Sequence, residues 1–352
     1  MSAGIIQLVS VGVQDKHLTS NPEISFFRSA FKRHTNFSMF NAEQVIRGQP
    51  GPGRMSTVNI LRNGDLLSYM FIVASNVVSG VTEQVDKWSD IIDSVELLIG
   101  GQVIDKQDTE FKEELAIDLM ATNFSKSYGA SLHCGLHNDS TFYPLRFFCC
   151  ESWQSVLPLV ALQYHDVEIR INWSPNFNNN DLRFVFSCNY FALDTEERKF
   201  FVSTPTDILI FQVQKSTASN EKIQEITFNH PIKYLCSSNA NPDHDNKLCA
   251  GDNKIKCSAN GLDITELKPA VPYYTTVPSY YHTEFSVGNI NNIFLIPFCL
   301  STCKLQPTGA LNFSRLDSFL IHSEFPITRP IYGVNYNILS IKNGMAGLLY
   351  SN

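Results

Sequence analysis

Apolar and polar residues alternate with a period of two along most of this chain. Val167, Ile169, Ile171 and Trp173 are interleaved with Glu168, Arg170 and Asn172. The pattern returns at Phe184, Phe186, Cys188 and Tyr190, at Leu209, Phe211 and Val213, at Ile226, Phe228, His230 and Ile232, and at Tyr332, Val334, Tyr336 and Ile338. Successive side chains on a strand point to opposite faces, so each run predicts a half-buried strand. Asn63-Gly64 separates the run 57–61 from 66–73, and Gly100-Gly101 separates 95–99 from 102–104. Both dipeptides tolerate the positive φ angles of a two-residue turn, and both predict a hairpin.

A period of 3.6 occurs in two places only. Phe111, Leu115, Leu119 and Met120 predict a helix to about residue 121, capped by Asp108 or Thr109. The stretch Asp194-Thr-Glu-Glu-Arg-Lys-Phe-Phe places acids before bases, as a helix dipole prefers, and lies between two strand-rich halves. Many strands with Gly/Pro-rich turns and little helix predict sandwiches, one antiparallel sandwich for each half. The stretch from Cys236 to about Ser286 is crowded with Asn, Asp, Pro, Ser and Tyr and keeps no sustained period. It is expected to be a long loop projecting from a barrel end.

Composition sharpens this. Charged residues make up only 17% of the chain, while Phe and Tyr number 25 and 13. Few charges and many aromatics suit stacked sheets and large protein–protein contacts. A net charge of −7 argues against a primary nucleic-acid role. The densest basic run, Lys32-Arg33-His34, is flanked by Phe27 and Phe31. On a strand its members would point to opposite faces, so a solvated edge is expected there rather than a phosphate contact. Nine irregularly spaced cysteines form no disulfide framework, which fits a reducing compartment. No apolar run is long enough for a simple membrane-spanning helix. The apolar run Ile5 to Val13 lacks a basic lead and a cleavage site, and Gln7 interrupts it, so it reads as an arm rather than a secretory signal.

Candidate chemistry is thin. His133-Cys134-x-x-His137 groups three ligand types, but a structural zinc site wants four, usually as two pairs, and no second pair stands nearby. Cys149-Cys150 and the pair Cys299 and Cys303 read as small core residues, since no C-x-x-C exists. Asp243-His244-Asp245-Asn246 begins like a calcium loop, yet Leu248 and Lys254 stand where a glycine and a glutamate are required. Gly48, Gly51 and Gly53 are dense enough for a phosphate loop, but Pro50 and Pro52 remove backbone donors and no helix follows, leaving a flexible or kinked connection. No G-x-S-x-G, H-E-x-x-H or Walker pattern is present. Glycosylation sequons begin at Asn36, Asn123, Asn138, Asn172 and Asn312, the fourth and last inside strand-like runs where a glycan would block packing. The expectation is a protein without catalytic, cofactor-binding or metal-binding residues, and not an enzyme.

Several segments resemble the major capsid proteins of nucleocytoplasmic large DNA viruses, the group of iridoviruses, phycodnaviruses and mimiviruses. They are LRNGDLLSYMFI at 61–72, IIDSVELLIGGQVIDKQ at 91–107, LPLVALQYHDVEIRI at 157–171, LDTEERKFF at 193–201, LQPTGALNFSRLDS at 305–318 and YGVNYNILSIKNGMAGLLYSN at 332–352. The opening at 5–38 fits the same family, and the matches run in order along the whole chain. The resemblance implies an all-β fold of two tandem eight-stranded antiparallel jelly-roll barrels, with short helices in loops and linker. It divides the chain into an arm at 1–20, a first jelly roll at 21–193, a linker at 194–204 and a second jelly roll at 205–352.

The function it implies is structural: a homotrimer forming a pseudo-hexagonal capsomer that tiles an icosahedral shell. Expected partners are further copies of the chain, neighbouring capsomers, minor capsid or cement proteins and an internal viral membrane, with no direct nucleic-acid contact. The expected location is the virion, with synthesis and assembly in the host cytoplasm. The chain is short for the family, so surface loops are expected to be trimmed, leaving 236–286 as the main outward tower. A minor or divergent paralogue, and a related double jelly roll acting as a transient scaffold, remain alternatives. A jelly-roll lectin or cupin-like enzyme is the rival from another class; a cupin needs clustered His and Glu ligands, and no H-x-H occurs.

Overall fold

Two rounds of the same strand order build the molecule. The computed structural model describes residues 12–77, 80–83, 85, 87–123, 126, 142–177, 181–238, 246–284 and 293–350. The first round comprises β1 (Phe37–Gln44), β2 (Met55–Asn59), β3 (Leu66–Asn76), β4 (Ile92–Ile99), β5 (Gln102–Asp108), β6 (Phe142–Pro144), β7 (Val167–Trp173) and β8 (Leu182–Leu193). The second comprises β9 (Thr206–Ser216), β10 (Ile223–Glu225), β11 (Pro231–Ser238), β12 (Lys254–Ala259), β13 (Leu262–Asp263), β14 (Ile293–Pro297), β15 (Phe319–Ser323) and β16 (Ile331–Lys342), followed by a short β17 (Met345–Leu348). In each round the first, eighth, third and sixth strands form one antiparallel sheet: β1-β8-β3-β6, and β9-β16-β11-β14. The second, seventh, fourth and fifth form the other: β2-β7-β4-β5, and β10-β15-β12-β13. This doubled strand order is the jelly roll, which keeps most sheet edges short or covered. The helix Thr195–Ser203 lies between the two rounds, and the Asp194 carboxylate caps it by accepting the Thr195 N–H.

Alternation in the sequence becomes alternation in burial. β7 reads buried at Val167, Ile169, Ile171 and Trp173 and half-buried between them. A core cluster around Trp88, Trp173, Phe184 and Phe186 fills the first sandwich. That cluster continues into the second half through Phe211, Tyr234, Cys236, Tyr332 and Val334. A separate cluster, with Ile232, Leu235, Phe294, Phe319 and Ile321, fills the second sandwich. The β9-β16-β11-β14 sheet is therefore buried on both faces. Residues 37–352 accordingly form one compact unit rather than two.

Several sequence expectations are corrected. Gly100-Gly101 makes a two-residue hairpin, both glycines at positive φ (58° and 81°), with Ile99 paired to Gln102. Asn63-Gly64 does not: β2 pairs with β7 and β3 with β8, so this segment crosses between sheets. A Cβ on Gly64 would lie 2.7 Å from the Tyr190 Cβ, so close approach, not turn geometry, requires the glycine. Ile226 and Phe228 are buried, but the ladder is absent from 226 to 230, and His230 at φ 67° breaks the run before β11. The stretch 236–286 is no single loop, because β12 buries Ile255 and Cys257 in the second sandwich and short helices follow at Ala270–Tyr273 and Thr276–His282. The expected helix near 108–121 starts at Thr109, passes through a π-helical turn at Lys112–Ala116 and ends at Leu119. Asp108 precedes it without capping and instead pairs with Lys215 at 2.5 Å. The described residues before Phe37 cluster as a unit of their own, and the first strand starts at Phe37.

Trp88 is fully buried, its ring 5.4 Å from that of Tyr143. Replacing it with alanine leaves a cavity with little chance of collapse. Trp88→Ala is expected to cost about 3–5 kcal/mol in a denaturant titration read by far-ultraviolet circular dichroism; an unshifted midpoint would contradict this packing.

Candidate assembly surfaces

The first surface is the seam inside the chain. The outer face of the β9-β16-β11-β14 sheet meets the flank of the first sandwich, where β5 and the helical segment from Thr109 lie. Phe111 packs on Tyr332 with ring centroids 5.2 Å apart. Val213 N–H donates to the Asp105 carboxylate at 3.0 Å, and Gln107 Nε2 donates to its other oxygen at 2.7 Å. Arg329, from the second half, reaches both Glu110 (2.5 Å) and Glu114 (2.8 Å) in the first. Such nearly buried charges are compensated only while their partners stay in place, so they fix the register of the two halves more than they stabilise them. The turn Asn343-Gly344, both residues at positive φ, closes β16 onto β17 and docks on the first half. There Tyr164 N–H donates to Gly344 O at 3.0 Å, and a Cβ at residue 344 would meet the Tyr164 ring at 2.8 Å.

Burial also sets the protonation of this seam. Asp105 is pushed up to about 7 by desolvation, against which its hydrogen bonds from Val213 and Gln107 pull only partly. Desolvation likewise raises Glu113 and Glu114. Glu113 and Glu114 line an open cleft of about 370 Å³ together with Asp93, Lys215 and Arg329.

The second surface faces outward. A chain of ring contacts crosses the outer face of the β1-β8-β3-β6 sheet: Phe37 to Phe191 (5.7 Å), Phe191 to Trp153 (5.8 Å), Trp153 to Tyr69 (6.2 Å), Tyr69 to Phe71 (6.4 Å) and Phe71 to Phe142 (5.9 Å). Trp153 is 64% exposed and Phe37 51%. Midway along the stripe, Trp153 and Tyr69 border an open cleft of about 550 Å³ between the halves, lined also by Lys126 and Cys150 on one side and Lys304 and Leu305 on the other. Beneath it the Glu151 carboxylate is held by Arg146 Nε at 2.5 Å and Lys126 Nζ at 3.1 Å. A rigid aromatic stripe beside a seated ion pair is the type of surface that protein partners bury.

The sequence candidates fall elsewhere. His133, Cys134 and His137, and Asp243 to Asp245, lie outside the described residues, as does Asn138. Asn246 is buried and uses its side chain on Ser237, Ser238 and Leu248. The eight cysteines among the described residues are free. Cys149 and Cys150 lie 3.9 Å apart, and the hydrogen bond between them, with burial, holds the Cys149 thiol well above its ordinary value. Burial also raises Cys299 and Cys303, so all three are poor nucleophiles. Gly48 and Gly53, at positive φ, belong to the loop joining Ile46–Arg47 to β2. Asn172 donates to Ser94 and Glu96 within its sheet, and Asn312 accepts from Ser314 N–H. Lys32, Arg33 and His34 lie on no strand, which removes the argument that they point to opposite faces. Among the described residues no group of three His, Cys, Asp or Glu is placed to hold a metal, and no helix is long and apolar enough to cross a membrane. Asp105, Arg329 and Trp153 were not singled out from sequence; nothing in the pattern around them marks a seam or an exposed stripe.

Known proteins share this architecture. Residues 25–199 match the family described as "Major capsid protein N-terminus", and residues 197–347 that described as "Large eukaryotic DNA virus major capsid protein". The chain is 31% identical to a major capsid protein of Pyramimonas orientalis virus and 28% to one of Paramecium bursaria Chlorella virus 1, each alignment covering all of both chains. The first alignment extends over 403 positions, so that relative carries segments absent from these 352 residues. Among solved structures, VP54 of PBCV-1 superposes with a TM-score of 0.76 at 24% identity, covering 93% of this chain and 100% of that one. The Faustovirus major capsid protein superposes with a TM-score of 0.67 at 10% identity, covering 94% of each chain.

Asp105 provides a test of the seam. Its folded pKa lies above its unfolded value, so the native chain retains a proton that the unfolded chain releases. The stability this supplies is full at low pH and is lost as pH rises through about 7. Asp105→Asn keeps an acceptor for Val213 without the titration. Its melting temperature is expected to fall less than that of the parent between about pH 5 and about pH 8. Equal pH slopes in the two proteins would mean that Asp105 is ionised throughout.

Proposed function

The chain belongs to the family of large eukaryotic DNA virus major capsid proteins, and from that premise we propose that it works as a homotrimeric tile of an icosahedral shell. It is a structural component of the capsid. The observation that carries the finer reading is the partly exposed aromatic stripe from Phe37 to Phe142, whose middle rings Trp153 and Tyr69 border the cleft between the halves. Two sandwiches of identical strand order in one rigid unit give each chain two similar flanks. Three chains then present six such flanks, and a closed threefold ring needs one flank to meet a different flank of the next copy. An aromatic, weakly charged face suits the obligate contact, and more polar faces suit reversible contacts between tiles.

The remaining parts of the reading follow from the same scheme. Residues 1–20 act as an arm, 21–193 and 205–352 as the two jelly rolls, and 194–204 as the linker. The loops of 236–286 point outward. Minor capsid or cement proteins and an internal membrane are partners, assembly takes place in the host cytoplasm, and no residue performs catalysis or binds a metal or cofactor.

Native mass spectrometry of the purified protein is expected to show a trimer; a well-folded monomer at micromolar concentration would refute the proposal. Trp153→Ala, which removes the most exposed ring of the stripe, is expected to weaken self-association by about thirtyfold or more while leaving the fold intact by circular dichroism. Purified particles separate the shell from a transient scaffold, because a shell protein must dominate their protein mass.

A further inference from the structure

The segment just ahead of β1 carries a surface of its own. From Ile24 to Asn36 it contains Phe26, Phe27 and Phe31 together with Arg28, Lys32, Arg33 and His34, and no acidic residue, in a chain whose net charge is −7. The three rings are 90%, 97% and 86% exposed. Residues 26–36 form neither helix nor strand, and this unit ends at Asn36. Water-exposed Phe rings interleaved with cations are costly unless something covers them.

We propose that residues 24–34 form an interfacial anchor for an anionic lipid bilayer. Charge complementarity selects the occupant: basic side chains are drawn to the negative surface of such a membrane, and Phe rings partition into its headgroup boundary. The register supports the same occupant. Wound as a helix, Ile24, Phe27 and Phe31 would share one face with Arg28 and Lys32 flanking it, leaving Phe26 and Arg33 on the opposite face. Asn21-Pro22-Glu23, just before, is a helix-start sequence, with a cap residue, proline at the first helical position and an acid in the first turn. Phosphate readers on single strands also pair aromatics with cations, but they stack bases from a preformed groove, and these rings line none. The inference deepens the membrane contact in the proposed function, and it fails separately from the trimer, which native mass spectrometry reads without lipid.

The experiment is vesicle flotation of the full chain on phosphatidylcholine vesicles with and without phosphatidylserine. Flotation with the anionic vesicles only, abolished by high salt, is expected. Lys32→Gln with Arg33→Gln is expected to weaken partitioning about thirtyfold, and Phe27→Ser with Phe31→Ser to abolish it. Both double variants should melt at the parental temperature, since these residues belong to a unit distinct from the one that holds the two sandwiches. Equal partitioning to both vesicle types, no partitioning to either, parental behaviour of both variants, or retention of the protein by duplex DNA in preference to vesicles would each overturn the proposal.

Discussion

One sheet buried on both faces governs this molecule. The β9-β16-β11-β14 sheet packs its inner side on the second sandwich core and its outer side on the first half. Seven of the eight residues of β11 and the first seven of β16 are buried as a result. With protein on both sides, the polar residues of these strands must find partners within the fold, as Asn335 and Asn337 do by donating to Gln212 Oε1 at 3.2 and 2.9 Å. The two jelly rolls therefore cannot separate without exposing Phe211, Tyr234, Tyr332 and Val334 together. That apolar area, removed from water at roughly 25 cal/mol per Å², holds the pair as one rigid piece.

Polar groups in the seam refine what burial enforces. Asp105, Arg329, Glu110 and Glu114 lie along the seam, and each is placed against a partner from the opposite half or its own strand. Their contribution is directional. A slip of one residue along β9 would carry Val213 N–H away from Asp105 and leave a buried carboxyl without its donor, at a cost of about 1–3 kcal/mol. Apolar packing holds the halves together, and hydrogen bonds select one alignment.

Rigidity of this kind bears on function. The tile proposed above would have to present its flanks at fixed angles, or small errors would accumulate over many contacts. The repeated strand order supplies two similar flanks, the shared core locks their relative orientation, and the aromatic stripe lies on an outer sheet face beside the seam.

Strand identity was written locally. β7, β8, β9 and β16 could be read from alternation because one side chain in two meets a core, and Gly100-Gly101 from the positive φ that a tight turn demands. The linker helix could be read from its capping acid and charge order. Partner choice was not local. Asn63-Gly64 resembles a hairpin turn but joins strands of different sheets, because the jelly-roll order, not the dipeptide, places β3 beside β8. Ile226 and Phe228 alternate like a strand, yet the ladder with β15 stops after the Ile226 N–H donates to Phe319 O at 2.9 Å. β12 escaped notice because its polar side chains hide a two-residue core contribution, Ile255 and Cys257. The seam and the stripe were illegible for the same reason: whether Asp105 is buried or Trp153 exposed depends on chain segments more than fifty positions away, and no local periodicity records them.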